Sequence, residues 1–132
     1  MTRHESREAA FIVIFEKMFQ SDMTVEEIFT YGEEEAVLGV SDFAKELANR
    51  VFENLEEIDS VISENLVGWS VSRISKVSRA VLRLAVCELK YSDIPVGVAV
   101  NEAVEITKKY SGEQDSSFVN GVLASVAKKV RS

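Results

Sequence analysis

Residues 72–91 read SRISKVSRAVLRLAVCELKY, a stretch that contains neither Gly nor Pro. Its apolar side chains fall on most sides of a helix, from Val77 through Ala80 to Leu89. A helix that is apolar nearly all round is normally covered by other elements on every side. The stretch therefore predicts the buried central helix of a helical domain.

The composition of the whole chain favours the same fold class. The 132 residues are 46% hydrophobic and 28% charged, which fits a single domain over residues 1–132 with one core. Gly and Pro together make up seven residues, about 5% of the chain against roughly 12% in an average protein. So few turn formers favour an all-α domain over a β-sandwich.

Capping and turn residues divide the flanking sequence into further helices. Thr2 and Thr24 each begin a Thr-x-x-Glu capping box, and Ser41 is predicted to cap a third helix. Pro95 separates the central helix from the next, which we expect to close at Gly112. The predicted helices cover residues 3–20, 24–32, 41 onward, a fourth through Ile58 and Leu66 to about 68, 72–91, 96–110, and 115 or 116 onward. About seven helices result, with residues 33–35 as a solvated connection.

Four single residues carry expectations of their own. Cys87 lies in an apolar segment with no partner for a disulfide or a metal site, so it is predicted to be a core residue. Asn101 and Asn120 lie in otherwise apolar helical stretches, and we expect hydrogen-bonded amides inside the fold. Gly121 is unfavourable within a helix, and either close packing of two helices or close approach of RNA would explain it, of which we favour packing.

The net charge of −7 is unevenly distributed. Residues 1–70 contain five Lys or Arg and 16 Asp or Glu, whereas residues 71–132 contain ten and six. This distribution permits a local phosphate-binding patch but excludes strong nonspecific binding of nucleic acid by the whole surface. No apolar run approaches the roughly 20 residues that a membrane helix needs, and the N-terminus has no signal-peptide pattern. We therefore expect a cytoplasmic protein.

The sequence contains no catalytic constellation. His4 is the only histidine, and it lies at the N-terminus, so Ser-His or Cys-His chemistry would require it to fold back onto a distant nucleophile. There is no Gly-rich phosphate loop and no spacing of Cys and His that fits zinc. The sequence therefore predicts no enzyme, no metal site and no cofactor.

Two groups of basic residues point to a polyanion. Arg3 and Arg7 lie one turn apart at the start of the first helix, with His4 beside them, where the helix dipole prefers an anion. The alternative is that they pair with Glu5, Glu8 or other carboxylates of the acidic half. At 100° per residue, a second group on the central helix falls within an arc of roughly 60°. It consists of Lys76, Arg79, Arg83 and Lys90.

This basic strip is either a solvated face or a groove for an acidic protein or an RNA backbone. Phe118, Tyr91 and Tyr110 are candidates for stacking on RNA bases, although each ring also suits a core position.

Four blocks of sequence follow one another along the chain. They are residues 3–10 (RHESREAA), residues 77–89 of the central helix, residues 93–95 (DIP) with 100–105 (VNEAVE), and residues 118–123 (FVNGVL). In this order they resemble the NusB family of bacterial transcription antitermination factors. The first block resembles the arginine-rich start of the family and the second its most characteristic helix, and the resemblance covers the whole length of the chain.

The resemblance implies an all-helical adaptor that binds the boxA element of ribosomal RNA leader transcripts. Its implied partners are NusE, which is also a small-subunit ribosomal protein, other Nus factors and RNA polymerase. The RNA-binding residues it implies are Arg3, His4, Arg7, Gln114 and Phe118, with Arg83 between the RNA and NusE surfaces. Ser78 and Glu88 fall on the helix that resembles the NusE-facing surface. Replacing Arg3 and Arg7 together by Ala is expected to weaken RNA binding without lowering thermal stability.

Three departures from the family pattern leave alternatives open. His4 stands where a second Arg is common, Ile12 replaces a frequent Gln, and Asp115 lies one residue later than the usual acidic position. The His4 departure favours weaker or more pH-sensitive RNA binding, whereas the smaller negative charge at Gln114 offsets part of the lost Arg charge. One alternative is a helical protein-protein adaptor or homodimer without significant RNA affinity. Another is the similar RNA-binding domain that is fused to rRNA methyltransferases, which requires the sequence to be a fragment.

Overall fold

The computed structural model describes residues 1–34, 41–68 and 70–131. Within these ranges the chain forms seven α-helices, one short 3-10 turn and no strand. The helices are α1 (Arg3–Lys17), α2 (Val25–Glu34), α3 (Asp42–Glu53), α4 (Leu55–Glu64), α5 (Lys76–Tyr91), α6 (Val96–Tyr110) and α7 (Glu113–Val130), and the 3-10 turn is Val71–Arg73. The prediction of an all-α fold with about seven helices is confirmed.

Side-chain caps begin α1 and α3 at the predicted residues. The Thr2 hydroxyl accepts a hydrogen bond from the Glu5 backbone N–H at 3.0 Å, and the Glu5 carboxylate accepts one from the Thr2 N–H at 2.8 Å. The Ser41 hydroxyl accepts from the Ala44 N–H at 3.2 Å. Each cap satisfies backbone donors that the first turn of a helix leaves unpaired.

Helix α5 forms the centre of the fold, as its sequence predicts. It packs against α1, α3, α4, α6 and α7, and its residues from Ala80 to Leu89 are buried apart from Arg83. The largest fully buried side chains of the described residues include Leu82, Leu84 and Leu89 of α5 and Phe29, Ile14, Ile58, Ile62, Ile106 and Leu123 around it. No described helix combines the length and the hydropathy required to cross a membrane.

Several helix ends differ from the sequence prediction by a few residues. Helix α1 ends at Lys17 instead of residue 20, and the Lys17 ammonium group donates to the carbonyl oxygens of Ser21 and Met23 beyond the helix. Helix α7 begins at Glu113 instead of residue 115 or 116. Gly112, directly before it, has a φ of 101°, which favours glycine, and an extended ψ of −177°. Helix α2 continues to Glu34 instead of ending near residue 32. The prediction that residues 33–35 are a solvated connection falls on side chains, and on residue 35, that lie outside the described residues.

Three expectations about buried polar and small residues were wrong. Asn101, Asn120 and Gly121 are all exposed, and a Cβ added to Gly121 would meet nothing within 4 Å. The reason is the angular position of these residues, because α6 turns Ala99, Ala103 and Ile106 inward and leaves Asn101 outside. Close packing with another helix of this chain therefore does not explain Gly121.

Cys87 is expected to resist alkylation in the folded protein. Its side chain is fully buried, and burial raises the pKa of the thiol to about 12. An ordinary thiol has a pKa of roughly 8.5, so at about pH 8 Cys87 forms much less of the reactive thiolate than an exposed cysteine does. Iodoacetamide labelling followed by mass spectrometry should show slow reaction in buffer and fast reaction once urea unfolds the chain. Equal labelling rates in the two conditions would contradict the buried position.

Candidate functional site

Arg3 presents an exposed guanidinium group at the N-terminus of α1. Its Cζ atom lies 3.9 Å from the centroid of the Phe43 ring on α3. Among the residues that the structure describes, no carboxylate oxygen lies within 4.0 Å of Arg3. The five N–H donors of this group are therefore available to a ligand.

Arg7 lies inside the fold, although it is only one turn further along α1. It is 8% exposed, and its Nε atom donates to both carboxylate oxygens of Glu88, at 2.9 and 3.1 Å. Burial raises the pKa of Glu88, which is 4% exposed, and the hydrogen bonds from Arg7 offset part of this effect. Arg7 and Glu88 thus form a buried ion pair that joins α1 to α5.

His4 is connected to the same network. Its Nδ1 atom lies 2.7 Å from a carboxylate oxygen of Glu102 on α6, and the His4 side chain is 44% exposed. The same Glu102 oxygen lies 4.0 Å from an Arg7 nitrogen. Glu102 therefore lies between the exposed histidine and the buried arginine, and it brings a carboxylate to the edge of the basic N-terminus.

Glu5 and Glu8, the local candidates for pairing with the two arginines, have other partners. Glu5 binds the backbone N–H of Thr2. Glu8 accepts hydrogen bonds from Lys109 and from the hydroxyl of Tyr110. Burial acts to raise the pKa of Glu8, but these two hydrogen bonds and the nearby charge of Lys109 together outweigh burial and lower the pKa below its usual value. Neither local pairing therefore accounts for Arg3 or Arg7.

Gln114, Phe118 and Ser78 meet at a second place, an open cleft of about 210 Å³ between the start of α5 and the start of α7. Gln114 is exposed, and Phe118 is half-buried. Ser78 is 1% exposed, and its hydroxyl has no hydrogen-bond partner among the described residues. The cleft thus combines an aromatic ring with amide and hydroxyl groups, which suits an unstacked base.

Asp115 also lines this cleft. One of its carboxylate oxygens accepts hydrogen bonds from Ser75, at 3.0 Å, and from Ser111. Ser75 also caps α5, so Asp115 ties the α6–α7 connection to the first turn of the central helix. The acidic residue that is shifted relative to the family pattern therefore has a structural partner in this chain.

The two groups of candidate residues lie at opposite ends of α5. Ser78 and Glu88 are ten residues apart on this helix, which corresponds to about 15 Å along its axis. A ligand that contacts Arg3 and Phe118 together must therefore be extended, as a single strand of RNA is.

Arg83 lies apart from both groups. Its Nε and Nη2 atoms donate to the two carboxylate oxygens of Asp59 on α4, at 2.9 and 2.8 Å. Lys90 forms a similar pair with Glu57 at 2.9 Å. Two of the four residues of the basic strip are therefore neutralised by α4, and the strip is not a continuous basic groove.

The remaining aromatic candidates are hydrogen-bonded to carboxylates. The Tyr91 hydroxyl donates to Glu57 at 2.7 Å, and the Tyr110 hydroxyl donates to Glu8 at 2.9 Å. Of the three rings considered for base stacking, only Phe118 lines the cleft described above. Across the part of the chain that the structure describes, no group of three or more His, Cys, Asp or Glu residues is arranged to hold a metal ion.

The model of the NusB family matches residues 4–128, which is nearly the whole chain. The chain belongs to the NusB family. The transcription antitermination protein NusB of Acetivibrio thermocellus is 43% identical over 130 residues, which cover 97% of this chain and 90% of that protein. The NusB protein of Bacillus subtilis is 38% identical over 127 residues, with 96% and 95% covered. This is a family of antitermination factors and not of enzymes.

Solved NusB structures share the fold. T. maritima NusB superposes with a TM-score of 0.84 at 39% identity, covering 98% of this chain and 92% of that one. A chain from a crystal structure of the antitermination factors NusB and NusE in complex with dsRNA has a TM-score of 0.85 at 34% identity, with 98% and 99% covered. The helical arrangement of this NusB family member is therefore that of solved relatives.

Phe43 and Glu102 are prominent at the N-terminal group, and sequence reasoning selected neither. Phe43 occupies an ordinary apolar position of α3, and Glu102 is one of 22 acidic residues. Only their contacts with Arg3, His4 and Arg7, which come from distant parts of the chain, distinguish them. No local sequence pattern identifies them.

Burial of the Arg7–Glu88 pair changes the expected effect of mutations on stability. Arg7→Ala leaves a buried carboxylate unpaired and should lower the free energy of unfolding by about 3–5 kcal/mol. Arg3→Ala removes an exposed contact with Phe43 and should cost no more than about 1 kcal/mol. Urea denaturation followed by circular dichroism measures both effects.

The double variant Arg7→Met with Glu88→Leu is the control, because it removes both charges and keeps apolar volume. Its stability should lie much closer to that of the wild-type protein than the stability of Arg7→Ala does. Equal stability of Arg7→Ala and Arg3→Ala would show that the buried pair does not hold α1.

Proposed function

We propose that this NusB family member binds boxA RNA together with NusE and, with other Nus factors, supports processive transcription by RNA polymerase in the cytoplasm. The observation that carries the proposal is the exposure of Arg3 and its lack of an ion pair among the described residues. This arginine lies at a helix N-terminus, in a chain with a net charge of −7. A guanidinium group kept clear of carboxylates in this position suits a phosphate group.

The RNA contacts divide between the two groups at the ends of α5. Arg3 supplies positive charge, and Arg3 and His4 supply N–H groups, to the RNA backbone at one end. Phe118 and Gln114 offer a ring and an amide to a base at the other end. The sequence also indicates Arg7 and Arg83 as RNA-binding residues. We assign neither a direct RNA contact, because carboxylates already hold their guanidinium groups.

The NusE contact is proposed for the end of α5 that carries Ser78. Ser78 lines the cleft that is assigned above to an RNA base, and its buried hydroxyl lacks a partner among the described residues. The NusE contact is therefore proposed to border the RNA contact at this end of α5. The Glu88 carboxylate lies beneath Arg7, and a partner protein cannot reach it without breaking the ion pair. The structure of NusB and NusE with dsRNA, which contains a 34% identical chain, supports NusE as the partner.

The alternative of a protein-protein adaptor or homodimer is favoured by exposed apolar side chains. Phe19 is 57% exposed after the end of α1, with the Lys76 ammonium group 5.5 Å from its ring centroid. Tyr31 on α2 is 61% exposed. Such a surface suits a protein partner, and it is compatible with RNA binding elsewhere on the molecule.

Fluorescence anisotropy of labelled boxA RNA, with a scrambled RNA for comparison, tests the proposal. We expect tighter binding of boxA than of the scrambled strand, and a further gain when NusE is added. Arg3→Ala should weaken binding and reduce the slope of log K against log salt by about 0.7, the value for one phosphate contact on a single strand.

Lys128→Ala is a charge-matched control, because Lys128 is exposed on α7 at ten residues, or about 15 Å, from Phe118. It should leave affinity and salt slope near the wild-type values. If neither RNA binds in the presence of NusE while NusE itself binds, the adaptor alternative is correct and RNA binding is excluded.

A further inference from the structure

The ring of Phe43 lies close to both arginines of the N-terminal group. Its centroid is 3.9 Å from the Cζ atom of Arg3 and 5.3 Å from the Cζ atom of Arg7. A guanidinium group within about 6 Å of a ring centroid is attracted to the negative face of the ring. One half-buried aromatic side chain of α3 therefore contacts both basic residues of α1.

The position of this ring is fixed independently of Arg3. The Ser41 hydroxyl caps α3 and also shares a 2.9 Å hydrogen bond with the Ser6 hydroxyl of α1. On the same turn of α1, Arg7 is held by Glu88. The start of α3 is therefore fastened to α1 beside the ring, and the ring itself packs against the core.

Among the described residues, Phe43 is the one aromatic ring that contacts the Arg3 guanidinium group. A long side chain that is ordered only when RNA arrives loses rotamer entropy at that moment, and a support that orders it beforehand reduces the loss. We propose that Phe43 is a positioning residue for RNA binding, which holds the Arg3 guanidinium where it meets the RNA backbone. The inference rests on the proposed RNA-binding function.

A double-mutant cycle on boxA RNA affinity tests the inference. Phe43→Leu keeps an apolar side chain and removes the ring, and it should weaken binding about two- to fivefold, as loss of an exposed cation–π contact does. Its salt slope should change in the direction of the Arg3→Ala slope. In the Arg3→Ala background, Phe43→Leu should cause no further loss, because the guanidinium group that remains near the ring, that of Arg7, is already held by Glu88.

Phe52→Leu is the matched control, with the same substitution on the same helix. The Phe52 ring also lies near a cation, with its centroid 5.3 Å from the Lys17 ammonium group. That ammonium group is already bound to the carbonyl oxygens of Ser21 and Met23. Phe52→Leu should therefore leave RNA affinity unchanged, whereas Phe43→Tyr, which retains a ring, should bind like the wild-type protein.

A second measurement needs no RNA. In the wild-type protein the δ protons of Arg3 should show an upfield ring-current shift in the NMR spectrum, and the shift should disappear in Phe43→Leu. If Phe43→Leu does not fold, Phe43→Met replaces it, because Met fills the same space without a ring.

The outcomes separate the inference from the proposed function. Wild-type affinity of Phe43→Leu, or a loss that adds fully to that of Arg3→Ala, overturns the positioning role while boxA binding stands. Absence of boxA binding by the wild-type protein with NusE overturns the proposed function, and the positioning role for RNA falls with it even if the ring-current shift is present.

Discussion

Helix α5 is apolar over most of its circumference, so no single neighbouring helix can remove it from water. Five of the other six α-helices pack around it, and the two ends of the chain reach it through α1 and α7. Residues that lie far apart in sequence therefore meet along one axis. Both groups of candidate functional residues lie at ends of this helix because its burial requires the neighbours that carry them.

The ion pair between Arg7 and Glu88 is the charged exception within this apolar environment. Two charges that are buried together cost free energy in desolvation, and the raised pKa of Glu88 reflects that cost. The pair joins residues 81 positions apart in the sequence and ties the first half of α1 to α5. The surface that displays Arg3 and His4 thus depends on a contact made beneath it.

Most of the fold follows from signals that are local in sequence. The caps at Thr2 and Ser41 and the break at Pro95 act within a few residues, and the apolar periodicity of each helix indicates its buried face. Where sequence reasoning failed, the outcome depended on packing between distant segments. Asn101 and Gly121 face outward because of how α6 and α7 meet their neighbours, which their own sequence does not determine.

The same distinction applies to the candidate site. That Arg3 lies exposed at a helix N-terminus could be predicted, because the cap at Thr2 places it there. The ion pairs of Arg7 and Arg83 could not be predicted. Their partners Glu88 and Asp59 lie 81 and 24 residues away and resemble any other acidic residue of the chain. Phe43 was missed for the same reason, since its role comes from the side chains above it.

The buried pair also has a consequence for local opening. The first turn of a helix usually frays, and its amide hydrogens exchange with solvent at almost no cost in free energy. In this protein, unwinding α1 past Arg7 exposes a carboxylate that is part of the central helix, so the opening is tied to loss of the core. Amides around Ala9 and Ala10 should therefore exchange far more slowly than amides of the first turn, and fraying of α1 from its basic end should stop at Arg7.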